Sequence, residues 1–305
     1  MQNSSVLLVG TISNVEHCIQ LELQRVLNSL QLFKSVEIFL VESDSDDGTL
    51  NKLEKLKDIL PNLNYVSLGQ VRDRIPNRIE RIRYSRNRYV KYIREYSDHD
   101  FVVVADLDGM NTAINQFAVS SCFGVEFEWN ACFANQSNGY YDLYALRAKG
   151  WLEQDCFHEL EVLKSARGTI RNSNAHWWNS VREILYQDDL RQIAIYDNMK
   201  IIPIESPWIP VTSAFGGLGI YKRKLFDSSD YTKLNLEPCI YSEHVDFHHS
   251  CVALGYSLYI NPRLINSHWN TYNRNRIKML RLARNVTRRS KTISRLIRAV
   301  KKLSL

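Results

Sequence analysis

The sequence predicts an α/β fold: a mostly parallel central sheet with helices on both faces, followed by a basic amphipathic helical tail. Three observations carry this. Short apolar runs alternate with helically spaced stretches, in the order strand–helix–strand–helix–strand, as far as Leu68; that order calls for parallel pairing. The run Phe101-Val102-Val103-Val104-Ala105 is wholly apolar with three β-branched valines, as a strand buried on both faces requires. The basic residues gather at one end, with twelve Lys and Arg between Arg274 and Lys302 and no acid after Asp246.

In chain order, Val6–Val9 reads as the first strand. Val15 to Leu32 follows as a helix, with Val15, Ile19, Leu23, Val26, Leu27 and Leu30 at helical spacing. Val36–Val41 is the second strand and runs into a loop of acids and hydroxyls, Glu42 to Thr49. Leu50 to Leu60 is a helix ended by Pro61, and Asn64–Leu68 is the third strand. From Arg72 to Lys91 the chain carries eight basic residues, with Pro76 suited to a helix start. Ile79, Ile82, Tyr89, Val90 and Ile93 can form its apolar stripe, and at least one arginine of the Arg78, Ile82, Arg86, Tyr89 series shares the buried side. After the Phe101 strand, Asn111–Val125 is expected to be helical, then irregular. Tyr140–Arg147 and Ile201–Ile204 are expected as short strands, and Trp151 to Gln192, which includes Trp177, Trp178 and Tyr186, as helices with loops. Tyr241 to Leu254 opens on Glu243 and Asp246, which suit the positive end of a helix, with Gly255 as its C-cap. Ser257–Ile260 is the last strand.

The chain has 305 residues, 45% hydrophobic and 24% charged, enough for one large α/β domain or two smaller ones. The net charge of +6 belongs to the tail: without its twelve basic residues the balance is 27 basic to 33 acidic. This points to a local contact with an anionic partner. The six cysteines include no C-x-x-C pair and are expected as buried thiols in a reducing compartment. No stretch has the length of apolar sequence that a membrane-spanning helix needs, and the N-terminus lacks a basic n-region, so a cytoplasmic chain is expected.

The chemistry concentrates at Asp106-Leu107-Asp108-Gly109. An ionised carboxylate is costly to bury alone, so the two acids are expected at the strand end, facing a cleft, a cation or both. Residues two apart in a strand point the same way, and a divalent cation holds two such acids together. A plain Asp-Gly turn is the competing reading. Ligands on parallel sheets bind at the strands' carboxyl ends, where Thr11, Glu42 to Asp46, Asp106 and Asp108 all fall. Gly216, Gly217 and Gly219 allow close backbone approach. Several classes are excluded by motif: no G-x-G-x-x-G follows a βα turn, and neither G-x-x-x-x-G-K-[ST], H-E-x-x-H nor G-x-S-x-G occurs. Acids at strand ends with nearby arginines and no P-loop suit a nucleoside diphosphate held through Mg²⁺ or Mn²⁺.

Several segments resemble a known group. Asp106-Leu107-Asp108 after a buried strand is similar to the D-x-D motif of GT-A glycosyltransferases, a Rossmann-like fold. Val41 to Thr49 resembles the nucleoside-holding loop of that fold, and Ser85-Arg86-Asn87 its A-R-N segment. More narrowly, Glu42–Ser45, Arg78–Asn87, Tyr141–Arg147, Phe215–Gly217 and Ser242–Phe247 resemble, in order, the fungal capsule-associated α-mannosyltransferase-like family. The resemblance runs from about Val6 to His268. It implies a catalytic domain over 1–270, with a nucleotide-binding half of about 1–110, an acceptor-binding half of about 111–270, and a tail over 271–305.

The resemblance also implies roles. Thr11, Glu42 and Asp44 would hold base and ribose. Arg81, Arg86, Leu107 and Gly217 would border the donor, and Asp106 would contact the ribose or a metal-bound water. Asp108 would ligate Mn²⁺ or Mg²⁺, with His268 as a further ligand. Glu243 would face the acceptor; Glu243 or Asp246 could deprotonate its hydroxyl. The implied activity is metal-dependent hexosyl transfer from a nucleotide-sugar donor to a glycan or lipid-linked acceptor in surface polysaccharide synthesis. A nucleotidyltransferase and a non-catalytic nucleic-acid-binding module are the alternatives, although no nucleic acid partner is expected. In the tail, Ile277, Leu280, Ala283, Ile293, Leu296, Ile297, Val300 and Leu303 recur at helical spacing among basic residues. Such a helix reads as a peripheral membrane-surface element, as a helix docked on the catalytic domain, or as a nucleic-acid contact.

Overall fold

The structure is a computed structural model that describes residues 1–167, 191, 194–234 and 242–268. The strands are β1 (Ser5–Ile12), β2 (Ser35–Glu42), β3 (Leu63–Ser67), β4 (Phe101–Ala105), β5 (Ala131–Gln136), β6 (Ile209–Val211), β7 (Leu218–Lys222) and β8 (Leu258–Ser267). They form one sheet in the order β3-β2-β1-β4-β7-β5-β8-β6. β1, β2, β3 and β4 pair in parallel, as do β5 and β8, while β7 and β6 run against their neighbours. The sheet is therefore mostly parallel, as expected.

The described helices are α1 (Ile19–Ser29), α2 (Thr49–Ile59), α3 (Arg78–Tyr96), α4 (Gln116–Ser120), α5 (Cys156–Arg167), α6 (Leu225–Ser228) and α7 (Glu243–Ala253). They cover both faces because strand side chains alternate. Val6, Leu8, Val103 and Ala105 pack with Ile19, Leu23 and Val26 of α1 and with Leu53 and Leu56 of α2. Leu7, Val9, Val102 and Val104 pack with Tyr89, Val90 and Ile93 of α3 and with Phe247 and Cys251 of α7. Buried on both faces, these strands read as continuous apolar runs.

The chain winds outward from β1 to β2 to β3, then returns to place β4 on the other side of β1. The reversal opens a crevice at the carboxyl ends of β1 and β4. Gly10 lets the two ends close up: a Cβ there would lie 2.7 Å from the Ala105 carbonyl oxygen and 3.3 Å from a Leu107 methyl. Asn77 caps α3, its side chain accepting from the Ile79 and Glu80 amides at 2.9 and 3.1 Å. Pro76 thus lies just before the cap. Gly255, at φ +85°, ends α7 as expected.

Several expected elements differ. The helix foreseen over Asn111–Val125 shrinks to α4, capped by Asn115, whose side chain accepts from the Ala118 amide at 3.0 Å. Tyr140–Arg147 is not a strand: Asp142 and Gln136 take its backbone amides, and only an isolated bridge joins Arg147 to Ser213. Ile201–Ile204 is also irregular. β5, β6, β7 and α6 were not foreseen. β5, Ala131-Cys132-Phe133-Ala134-Asn135-Gln136, ends in two buried carboxamides, a pattern that hides a core strand.

The described residues up to His268 belong to one compact unit. The expected helical tail over 271–305 lies outside the described residues, as do Trp177, Trp178 and Tyr186. Among the described residues no helix is long and apolar enough to cross a membrane. The five described cysteines carry free thiols, all buried but the half-buried Cys18.

Candidate active site

β4 ends at Ala105, before either carboxylate, so the strand's pleat does not align Asp106 with Asp108. Both acids lie instead in the turn that follows the strand. Gly109 takes φ +99°, so an Asp-Gly turn and a pair of carboxylates coexist. The Asp106 amide donates to the Gly217 carbonyl at 2.9 Å, which pins the turn to the glycine pair before β7. Leu107 is buried and Asp108 exposed.

Arg86 organises the site. It is buried on α3, between the rings of Phe215 and Tyr231 at 5.5 and 5.6 Å. Its Nε donates to Glu243 Oε1 at 2.7 Å, its Nη1 to the Tyr89 hydroxyl at 3.2 Å, and its Nη2 to Asp106 Oδ1 at 3.5 Å. One guanidinium thus joins the turn after β4 to the first residue of α7. Asp142 is close by, its carboxylate accepting the Gly216 amide at 3.0 Å and the Ala145 amide at 3.3 Å.

The electrostatics follow from crowding. Burial, and then the neighbouring Asp108, Asp142 and Glu243, push the Asp106 carboxyl from 3.8 to about 7, against the pull of Arg86. Burial also raises Asp142, against the two amides it accepts. Desolvation and Glu22 raise Asp108, while His17 and Arg78 pull it back. Asp106, Asp142 and Glu243 therefore share one buried guanidinium, an excess of negative charge that a cation relieves. Hard oxygen donors suit Mg²⁺ or Mn²⁺. Among the described residues, no three His, Cys, Asp or Glu side chains form a ready-made cage. A cation at the Asp106–Asp108 turn would draw its remaining ligands from phosphate and water.

The other expected site residues fall in three places. Thr11 and Glu42 lie at the carboxyl ends of β1 and β2, in register with Val41 and Ile12 respectively. Glu42 is buried, accepting from the Ser45 amide at 3.1 Å and from the Ser67 hydroxyl. Asp44, at φ +61°, accepts from the Arg72 amide at 2.8 Å and pairs with Arg72 and Arg81 at 3.5 Å each. Gly217, at φ +83°, lies where a Cβ would meet the Tyr141 hydroxyl at 3.0 Å. His268 is exposed, its Nδ1 2.8 Å from the Ser137 hydroxyl. Asp246 stands apart from the Arg86 group: it is fully buried, paired with Arg83, and accepts the Leu234 amide at 3.2 Å. His244 and His248 lie behind α7's first turn, and burial keeps both imidazoles neutral by lowering their pKa well below the ordinary value.

Sequence reasoning missed Asp142, Asn111 and Glu22. Glu22 is fully buried, its Oε2 accepting both the amide and the side chain of Asn111 at 3.0 and 3.1 Å. A signal for it existed: Glu22 sits three after Ile19 and four before Val26, an acid on the apolar stripe of α1. Asp142 lies within the Tyr141–Arg147 segment that carries the family resemblance but is given no role there, because its place at the site comes from a loop that reads as a strand.

No protein-family model matches the chain, and no curated protein matches it. Solved structures do, at low identity. A mannosyltransferase from Pyrobaculum calidifontis in complex with GDP-Man and Mn²⁺ is 12% identical, over 88% of this chain and 59% of that one, with a TM-score of 0.45. S. aureus TarS 1-349 in complex with UDP is 14% identical, over 84% and 57%, with a TM-score of 0.38. Glucosyl-3-phosphoglycerate synthase from Mycobacterium tuberculosis in complex with UDP is 12% identical, over 87% and 69%, with a TM-score of 0.36. The chain spans under three fifths of the length of the first two of these. None of the three decides what this chain does; its own residues must.

Proposed function

We propose that the chain is a GT-A-type glycosyltransferase that moves a hexosyl group from a nucleotide-sugar donor to a glycan or lipid-linked acceptor in surface polysaccharide synthesis. The observation that carries this reading is the Arg86 bridge. It ties Asp106, at the crevice of a mostly parallel sheet, to Glu243 at the start of α7. That arrangement supports reading the Asp106 side as the diphosphate edge and Glu243 as the base.

In this reading Thr11 and the loop held by Glu42, Asp44 and Arg81 cradle the nucleoside. Asp106 takes the ribose side, with Leu107 and Gly217 giving close backbone approach. Asp108 would hold Mn²⁺ or Mg²⁺, with His268 as a further ligand; when bound, the ion stabilises the leaving diphosphate as a Lewis acid. Glu243 is assigned as the base. Arg86 occupies its Oε1, and among the described residues no hydrogen bond engages Oε2, so that oxygen can take the proton of an acceptor hydroxyl. Asp246 is left out because Arg83 and the Leu234 amide occupy it in the core.

A panel of nucleotide sugars with Mn²⁺ or Mg²⁺, read by released nucleotide, tests the proposal. Turnover with at least one donor is expected, falling at least about 100-fold in Asp108→Ala. No donor binding or turnover across the panel refutes the function; full metal-dependent activity in Asp108→Ala refutes the site assignment.

Residues 271–305 are assigned, on charge alone, to an anionic membrane surface. Each basic residue there contributes on the order of 1 kcal/mol. The full chain is expected to sediment with anionic vesicles and a chain ending at His268 to stay in solution. Equal sedimentation of the two would refute this assignment.

A further inference from the structure

Behind the Arg86 group runs a second connection, in which three carboxamides link a buried carboxylate to two backbone carbonyls. Asn111, Gln136 and Asn266 have no solvent exposure, nor has the Glu22 carboxylate that anchors them. From Glu22 the path passes to Asn111, whose Nδ2 also donates to the Asp106 carbonyl at 2.6 Å. Asn266 Nδ2 donates to Asn111 Oδ1 at 3.3 Å and to the Gly216 carbonyl at 2.9 Å. Gln136 Nε2 donates to Asn266 Oδ1 at 2.9 Å and to the same Gly216 carbonyl at 2.9 Å. Gln136 Oε1 accepts the Tyr141 amide at 3.3 Å. The residues that meet here come from α1, the turn after β4, β5 and β8.

A carboxamide donates through its nitrogen and accepts through its oxygen without carrying charge, so Asn and Gln side chains can link in series in a dry interior. The chain forms because β8 bulges against β5. The register runs Phe133–Ile260, then Asn135–Ile265, then Gln136–Ser267. Asn135 secures the bulge by donating to the Pro262 and Ile202 carbonyls at 3.0 and 3.1 Å. A bulge of this kind re-aims side chains beside a site, and here it brings Asn266 and Gln136 to one carbonyl.

Both ends of the path reach the site. Asn111 holds the carbonyl of Asp106, on the donor side. The Gly216 turn carries Gly217, which receives the Asp106 amide, and its own amide donates to Asp142. We propose that Asn111, Asn266 and Gln136 are positioning residues that together set the distance between the donor-side turn and the Gly216–Asp142 side, with Asn266 as the joint. The inference rests on the glycosyltransferase reading. Buried networks that are fully satisfied act as units, and a displacement near 1 Å at a reacting centre costs about 10²-fold.

The test uses the full chain, with a donor that the wild type turns over. Asn266→Ala and Asn266→Ser are expected to lower kcat about 10- to 100-fold, with donor KM within about threefold of wild type. Asn111→Ala, which frees the Asp106 carbonyl, is expected to raise donor KM as well. The double variant Asn111→Ala/Asn266→Ala should be no worse than the poorer single variant, because a unit is broken once. Wild-type kcat in folded Asn266→Ala overturns the inference, as do strictly additive losses. If both Asn266 variants fail to fold, the seam is a folding element, and the positioning role is refuted. A wild-type chain inert toward every donor removes the glycosyltransferase reading, and this inference with it.

Discussion

Arg86→Lys is expected to fold and to lose about 100-fold or more in turnover. The guanidinium makes three contacts that diverge, to Glu243 Oε1, the Tyr89 hydroxyl and Asp106 Oδ1. A lysine ammonium is a compact point charge on a flexible stem and cannot span them. It would keep the charge balance by pairing with one carboxylate, and the other would lose its fixed direction. The loss should therefore fall on kcat, with the fold retained. Arg86→Leu removes the charge as well. It leaves Glu243 buried without a counter-ion, and a loss of about 3–5 kcal/mol in stability is expected. Denaturant unfolding and steady-state kinetics on both variants separate the two effects. Wild-type turnover in Arg86→Lys would refute the bridge as part of the mechanism.

Asp106→Asn is expected to abolish turnover and yet to stabilise the chain. Burial and three neighbouring carboxylates hold the Asp106 carboxyl at about 7, against an ordinary 3.8. Between these values the folded chain keeps a proton that the unfolded chain has released. The wild type therefore loses stability as pH rises through that window. The side chain is about a third exposed, so solvent screening cuts the effect to about 1–2 kcal/mol. An asparagine has no such proton to lose and keeps the backbone bond to Gly217. The variant's advantage should be small at pH 4, grow toward pH 7 and level off above it. Urea unfolding of both proteins across that range, without divalent metal, checks this. A variant less stable than wild type at pH 8 would refute it. The expected trade is stability against function, with strain stored where the chemistry is.

The legible parts of the fold were those whose cause is local. Val6–Val9, Ile38–Val41 and Val102–Val104 are apolar on both faces, and Ile19, Leu23 and Val26 repeat at helical spacing, so β1, β2, β4 and α1 follow from patterning. β5 was missed because Asn135 and Gln136 end it with buried amides, which polarity alone reads as a loop. Tyr140–Arg147 was misread as a strand because its apolar residues pack in a loop that Gln136 and Asp142 hold.

The sequence by itself determined the parallel sheet, the acidic crevice at its carboxyl ends and the presence of a buried arginine on α3. These are properties of composition and period, which local chemistry dictates. The tertiary structure alone decided which acids share that arginine. Arg86 and Glu243 lie 157 residues apart, and nothing local relates them. It also separated Glu243 from Asp246, three residues apart on one helix: the first turns to Arg86 and the second to Arg83. On a helix, three residues amount to most of a turn, so the choice of partner belongs to what packs against each position.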